Sequence, residues 1–193
     1  VAWDRTDWWW GVIEPEKGRF DFSIPDKCVA NLESQGIQLL PILCYGAAWF
    51  PEGRNAPITD EEREAYANYV YETVKRYSKH FTYWEVWNEP CWHTFFSGTP
   101  EEYAELLKVA HRAIKRADPQ AVVIGGCFSS HAREWTQRVL AQDGLDFMDA
   151  LSYHVYWSPA VTEPTAPGEP TFIEQEVRHF ADLMHERGKP KPI

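Results

Sequence analysis

Short apolar runs alternate with longer amphipathic stretches along most of this chain, and that alternation limits what it can fold into. Gln38 to Cys44 (QLLPILC) is an apolar run of strand length after Gly36. Thr59-Asp60-Glu61-Glu62 reads as a capping box that opens a helix to about Lys79, with Tyr66, Val70, Val74 and Tyr77 on one face. Tyr83 to Trp87 (YWEVW) is the next predicted strand. Thr99-Pro100-Glu101-Glu102 is a second capping box with proline at the first helical position. The helix it opens carries Tyr103, Leu106, Leu107, Ala110 and Ile114 as an apolar stripe. Ala121 to Gly125 is a further strand, and a helix is predicted over about 132–142. Another strand lies within Phe147 to Tyr156, and a proline-rich loop (158–170) precedes a helix over about 172–187. Strand–helix units repeated in this way predict a parallel α/β sheet.

A doubly wound sheet and a (β/α)8 TIM barrel both satisfy that pattern. The phosphate-binding fingerprints of nucleotide-binding sheets, GxGxxG and GxxxxGK, are absent. Polar and aromatic residues instead collect after successive strands: Trp8-Trp9-Trp10, Tyr45, Asn88-Glu89, and His154 with Tyr156. A barrel gathers its site at the C-terminal ends of many strands, so the barrel is the expected architecture. Val1-Ala2-Trp3 reads as the interior of a strand, and Lys189-Pro190-Lys191-Pro192-Ile193 reads as the opening of another. The 193 residues are therefore expected to form one partial barrel domain spanning 1–193, against about 250 residues for a whole barrel. With both ends reading this way, the compartment is left open.

Nineteen Lys and Arg against 29 Asp and Glu give a net charge of −10. Such a surface repels phosphate backbones and argues against a nucleic-acid partner. No apolar run approaches the ~18 residues of a membrane span. The 10 Trp, 9 Tyr and 10 Phe exceed what one core of this size needs, and aromatic faces in a cleft grip flat ligand faces such as sugar rings. The four cysteines show no CxxC pattern or disulfide spacing. Cys44, Cys91 and Cys127 each follow a predicted strand and with His93 invite a zinc-site reading. Small residues filling a tapering barrel end is the plainer account, and neither metal nor organic cofactor is expected.

Trp84-Glu85-Val86-Trp87-Asn88-Glu89-Pro90 is the sharpest feature. Strand alternation would put Glu85, Trp87 and Glu89 on one side, with Asn88-Glu89 at the barrel mouth. A carboxyl group there, walled by Trp87 and Trp92, would be poorly solvated, which favours its protonated form and suits a general acid. The alternative is a strand-end Glu in a structural ion pair.

Strand-Asn-Glu-Pro resembles the acid/base motif of the clan A glycoside hydrolases, retaining (β/α)8 enzymes. Other segments match that clan in order. Arg5 in Trp3-Asp4-Arg5-Thr6-Asp7-Trp8 resembles the Arg at the end of strand two. Ile13-Glu14-Pro15-Glu16-Lys17-Gly18-Arg19-Phe20-Asp21-Phe22 resembles the segment after it, and Ser152-Tyr153-His154-Val155-Tyr156 the strand-six His-x-Tyr. The resemblance covers essentially the whole chain, as strands two to six and the start of seven, and leans toward the beta-xylosidase and iduronidase family.

The resemblance implies hydrolysis of beta-linked glycans or glycosides, with a carbohydrate substrate and no cofactor. It makes Glu89 the general acid/base and Asn88 a hydrogen-bond partner of the sugar 2-hydroxyl. Arg5 and Tyr156 would orient a nucleophilic carboxylate, and His154 would line the subsite. Trp8, Tyr45, Trp49, Trp92 and Trp157 are candidate sugar platforms. The nucleophile is expected just beyond Ile193. A non-catalytic carbohydrate-binding barrel, or a half-barrel without activity of its own, is the alternative. Open sheet edges in such a half-barrel invite self-association.

Overall fold

The alternation folds into five parallel strands: β1 (Ala2–Trp9), β2 (Ile37–Cys44), β3 (Tyr83–Val86), β4 (Val122–Ser129) and β5 (Ala150–His154). Between them run α1 (Trp10–Ile13), α2 (Ser23–Ser34), α3 (Asp60–Tyr77), α4 (Pro100–Ala117) and α5 (Arg133–Ala141), with α6 (Phe172–Glu186) after β5. A short 3-10 turn spans Gly144–Phe147. The structure, a computed structural model, describes residues 2–52, 54–129, 132–156, 166 and 169–193. Spatial order equals chain order, β1-β2-β3-β4-β5. A doubly wound sheet reverses direction at a switch point, so this unbroken order is the arc of an incomplete (β/α)8 barrel. The last residues return along the far edge, where the Leu151 N–H donates to the Pro192 carbonyl at 2.9 Å. Residues 189–193, expected to open a strand, make this one backbone bond to β5 without forming a regular strand.

Each of the three longest helices begins at a threonine. Thr59, Thr99 and Thr171 accept from the backbone N–H three residues on, and Glu62, Glu102 and Glu174 reach back to the cap. The first two boxes were legible in the sequence. Helix α2 had no such signal: its N-cap is Phe22, which makes no side-chain cap, and Pro25 sits in its first turn. Helix α1 and the 3-10 turn are one turn each, too short for a periodic pattern.

Register fixes the two faces of the sheet. Trp8, Leu39, Leu43, Trp84, Val86 and Val123 are buried on the helix-facing side. Arg5, Asp7, Ile42 and Glu85 lie on the other side, because Arg5 pairs with Leu40, Asp7 with Ile42, and Ile42 with Glu85. Strand β4 runs four residues past its predicted end because a bulge at Gly126 lets pairing resume. Gly126 has φ +98°, and a Cβ there would come within 2.8 Å of the Phe128 ring. Beyond the bulge, Ser129 falls opposite His154.

Helix α4 is tied to β4 and to the start of β5 by one carboxylate. Asp149 accepts from Lys115 Nζ and from the Val123 N–H, both at 2.8 Å. Burial pushes its carboxyl up, but the Lys115 ammonium and the Val123 N–H outweigh this and hold it below its ordinary value. Because the folded value is depressed, this stability is present above the ordinary carboxylate range and is lost as pH falls through the lowered value. Asp149→Asn should therefore melt lower near pH 7 and lose less on acidification to about pH 3, as read by thermal melts across that range. Thr99→Ala removes one cap, about 1 kcal/mol, and should lower the melting temperature by roughly 2–4 °C by circular dichroism.

Candidate active site

Three residues at the C-terminal ends of β2 and β3 sit in left-handed backbone conformations that only glycine adopts freely. They are Tyr45 (φ 66°), Trp87 (φ 71°) and Glu89 (φ 39°). Such strain persists only where surroundings hold it, and it clusters at functional sites. Here the Trp87 N–H donates to the Leu43 carbonyl at 3.0 Å, and the Trp92 N–H to the Glu89 carbonyl at 3.0 Å.

This geometry corrects the expected alternation. Strand β3 ends at Val86, and the turn at Trp87 sends its indole away from the side that Glu85 occupies. Trp87 is fully buried between Tyr66 and Phe96, and its Nε1 donates to the Phe95 carbonyl. Glu85 and Glu89 thus do not belong to one uninterrupted strand face with Trp87.

Glu89 is 5% exposed. Its Oε1 accepts from the Tyr156 hydroxyl at 2.7 Å and lies 2.9 Å from His154 Nδ1. An ionised carboxylate only accepts, so in that state Nδ1 carries the proton and donates. The Glu89 carboxylate raises the Tyr156 phenol above its ordinary value, with partial burial adding to the effect.

A second chain of hydrogen bonds crosses β1, β2 and β3. Arg5, at the middle of β1 because that strand continues to Trp9, donates from Nε to Glu85 Oε2 at 2.5 Å and from Nη2 to Asn88 Oδ1 at 3.0 Å. Glu85 is 1% exposed. Asn88 Nδ2 faces the Tyr45 hydroxyl at 3.5 Å, and Tyr45 faces Asp7 Oδ2 at 3.2 Å. Burial raises the Tyr45 phenol well above its usual range, reinforced by Cys44 and Asp7. Arg5 and Tyr156, which the resemblance assigns to a nucleophile, make these bonds to Glu85, Asn88 and Glu89. The sequence reading gave Asp7 and Glu85 no role at the site, although both share the strand face of Arg5.

The aromatic candidates separate. Trp8 is 4% exposed and packs edge-on against Tyr77, Phe81 and Trp84 on the helix side, so it offers no open face. Its neighbour Trp9 is 53% exposed and stands edge-on to Tyr45 at 5.1 Å. Counting by twos from Arg5 selects Trp9, and that parity was the available signal. Trp49 is half-buried against Trp10 and Phe50. Trp92 is exposed three residues beyond Glu89. Trp157 and the Cys127 side chain lie outside the described residues. Glu14 of the Ile-Glu-Pro segment is buried and structural, accepting from Trp10 Nε1 at 2.5 Å and the Gly18 N–H at 2.6 Å. Among the described residues no cluster of three His, Cys, Asp or Glu could hold a metal ion.

The sequence model of glycosyl hydrolases family 39 matches residues 60–169, a segment that contains Asn88, Glu89, His154 and Tyr156. A family 39 glycoside hydrolase from the gut symbiont Bacteroides cellulosilyticus WH2 is 26% identical, with a TM-score of 0.78 over 99% of this chain and 42% of its own. The family 39 enzyme from Xanthomonas axonopodis pv. citri is 19% identical, with a TM-score of 0.66 over 90% of this chain and 38% of its own. A glucosidase from Croceicoccus marinus is 18% identical, with a TM-score of 0.70 over 100% of this chain and 44% of its own. These last two show the likeness of fold, and the chain spans about two fifths of the length of the structures it matches. With the family's model covering more than half of the sequence, the chain belongs to glycosyl hydrolases family 39.

Proposed function

We propose that the protein hydrolyses O-glycosidic bonds in beta-linked glycans or glycosides by a retaining double displacement, with Glu89 as general acid/base. The observation that carries this reading is the buried Glu89 carboxyl at the end of β3, with one oxygen committed to Tyr156 and His154. With His154 in the tautomer that donates from Nδ1, two donors occupy Oε1 and the transferable proton belongs on Oε2. From there Glu89 protonates the glycosidic oxygen as the bond breaks, and as carboxylate it later takes a proton from the attacking water. Asn88 sits one residue away with its amide oxygen held by Arg5, and donates an N–H to the sugar 2-hydroxyl. In this reading the nucleophile is a second carboxylate about 5–5.5 Å from Glu89, supplied beyond Ile193. Exposed Trp9 and Trp92 offer apolar faces to sugar rings.

The test is release of nitrophenol from a panel of aryl beta-glycosides, beginning with the glucoside, by the intact protein and by Glu89→Gln. The substitution keeps the shape of the side chain and removes its proton transfer. Turnover should fall by about 10²–10⁴-fold. Unchanged turnover in Glu89→Gln would remove Glu89 from the mechanism. An inert intact protein that still binds oligosaccharide would establish the non-catalytic binding barrel in its place.

A further inference from the structure

Asn88 can turn either end of its amide toward a ligand, and its neighbours decide which. A guanidinium only donates, so the Asn88 atom 3.0 Å from Arg5 Nη2 is the carbonyl oxygen. The amide nitrogen then faces the Tyr45 hydroxyl at 3.5 Å, the longest link of the chain. Tyr45 has one hydroxyl proton and two acceptor lone pairs. An ionised Asp7, 3.2 Å away, can only accept, so Tyr45 donates to Asp7 and turns a lone pair to Asn88. The donors therefore all point one way, from the Arg5 cation through Asn88 and Tyr45 to the Asp7 anion, and each bond polarises the next. Tyr45 is held at φ 66° in this position, a strained conformation that persists only where its surroundings enforce it.

We propose that Asp7 and Tyr45 are positioning residues that lock the Asn88 amide with an N–H toward the ligand, and so select glycosides carrying a hydroxyl acceptor beside the anomeric carbon over their 2-deoxy counterparts. This rests on the glycosidase reading above. Both residues act through Asn88. Arg5 alone fixes the amide oxygen, whereas the Tyr45 lone pair holds the N–H₂ group in plane for the ligand. Asp7 keeps that lone pair available by taking the Tyr45 proton.

The experiment measures kcat/KM of the intact protein for an aryl beta-glycoside and for its 2-deoxy analogue, with Tyr45→Phe and Asp7→Asn beside wild type. Tyr45→Phe keeps the ring edges against Trp9 and Trp87 and removes only the hydroxyl. Asp7→Asn keeps the shape, but its amide N–H can donate to Tyr45 and reverse the chain. Each variant should lose about tenfold on the parent glycoside and less than about twofold on the 2-deoxy analogue, the loss of one hydrogen bond to the 2-hydroxyl. Equal losses on both substrates would reduce Asp7 and Tyr45 to structural roles and overturn the assignment, as would no loss on either. Wild-type turnover of neither glycoside would overturn the glycosidase reading and this assignment with it. Thermal melts identify a variant that has failed to fold, and the other variant then decides.

Discussion

The ion pair between Arg5 and Glu85 is the constraint on which the inner face of this sheet depends. Glu85 is almost wholly removed from water, and an unpaired charge in that position would cost several kcal/mol. Arg5 reaches it from β1 across β2, so the pair clamps three strands into one curved arc. The same guanidinium holds the Asn88 oxygen. Neutralising a buried charge and orienting the residue beside Glu89 are thus one interaction. A Lys would carry the same charge, but only the guanidinium presents its donors in a fixed planar fork that orients both acceptors.

Behind the sheet, tyrosines on the helices anchor the strand ends that carry the site. Tyr66 of α3 donates to the Leu43 carbonyl at 2.7 Å, and Tyr69 of α3 donates to the Trp8 carbonyl. Tyr103 of α4 donates to the Val86 carbonyl at 2.8 Å and accepts from the Gly126 N–H at 3.0 Å. The Val86 carbonyl immediately precedes the strained Trp87, the Leu43 carbonyl lies two residues before the strained Tyr45, and the Trp8 carbonyl is one residue from the end of β1. Helix packing in this way supports the backbone conformation that lifts Asn88 and Glu89 out of the strand. At β5 the support comes from a buried carboxylate. Glu176 of α6 accepts from Arg133 of α5 and from the Tyr153 hydroxyl at 3.0 Å, behind the residue that precedes His154.

Much of this was legible beforehand because it is local. Capping boxes at Thr59 and Thr99, apolar runs of strand length and the order of the Asn-Glu and His-x-Tyr segments depend on neighbours within four residues or on simple succession. Helix α2 was not legible, because Phe22 at its start gives no capping signal and few of its residues are buried. In the sequence Trp8 reads as a ligand platform because three tryptophans in a row carry no mark of which one faces outward. The register of β1 supplies that mark, turning Trp8 into the core and Trp9 into the open.

The sequence by itself determined the parallel strand–helix succession and the barrel rather than a doubly wound sheet, and it singled out Glu89 as the candidate acid/base. These follow from periodicity, capping chemistry and motif order, all short-range properties. Only the tertiary structure decided which partners Glu89 has, that Trp87 leaves the strand face, and that Asp7, Tyr45, Asn88, Arg5 and Glu85 form one directed chain. Those relations join residues up to 83 positions apart. They depend on strand register and on three left-handed backbone angles, which no local pattern encodes.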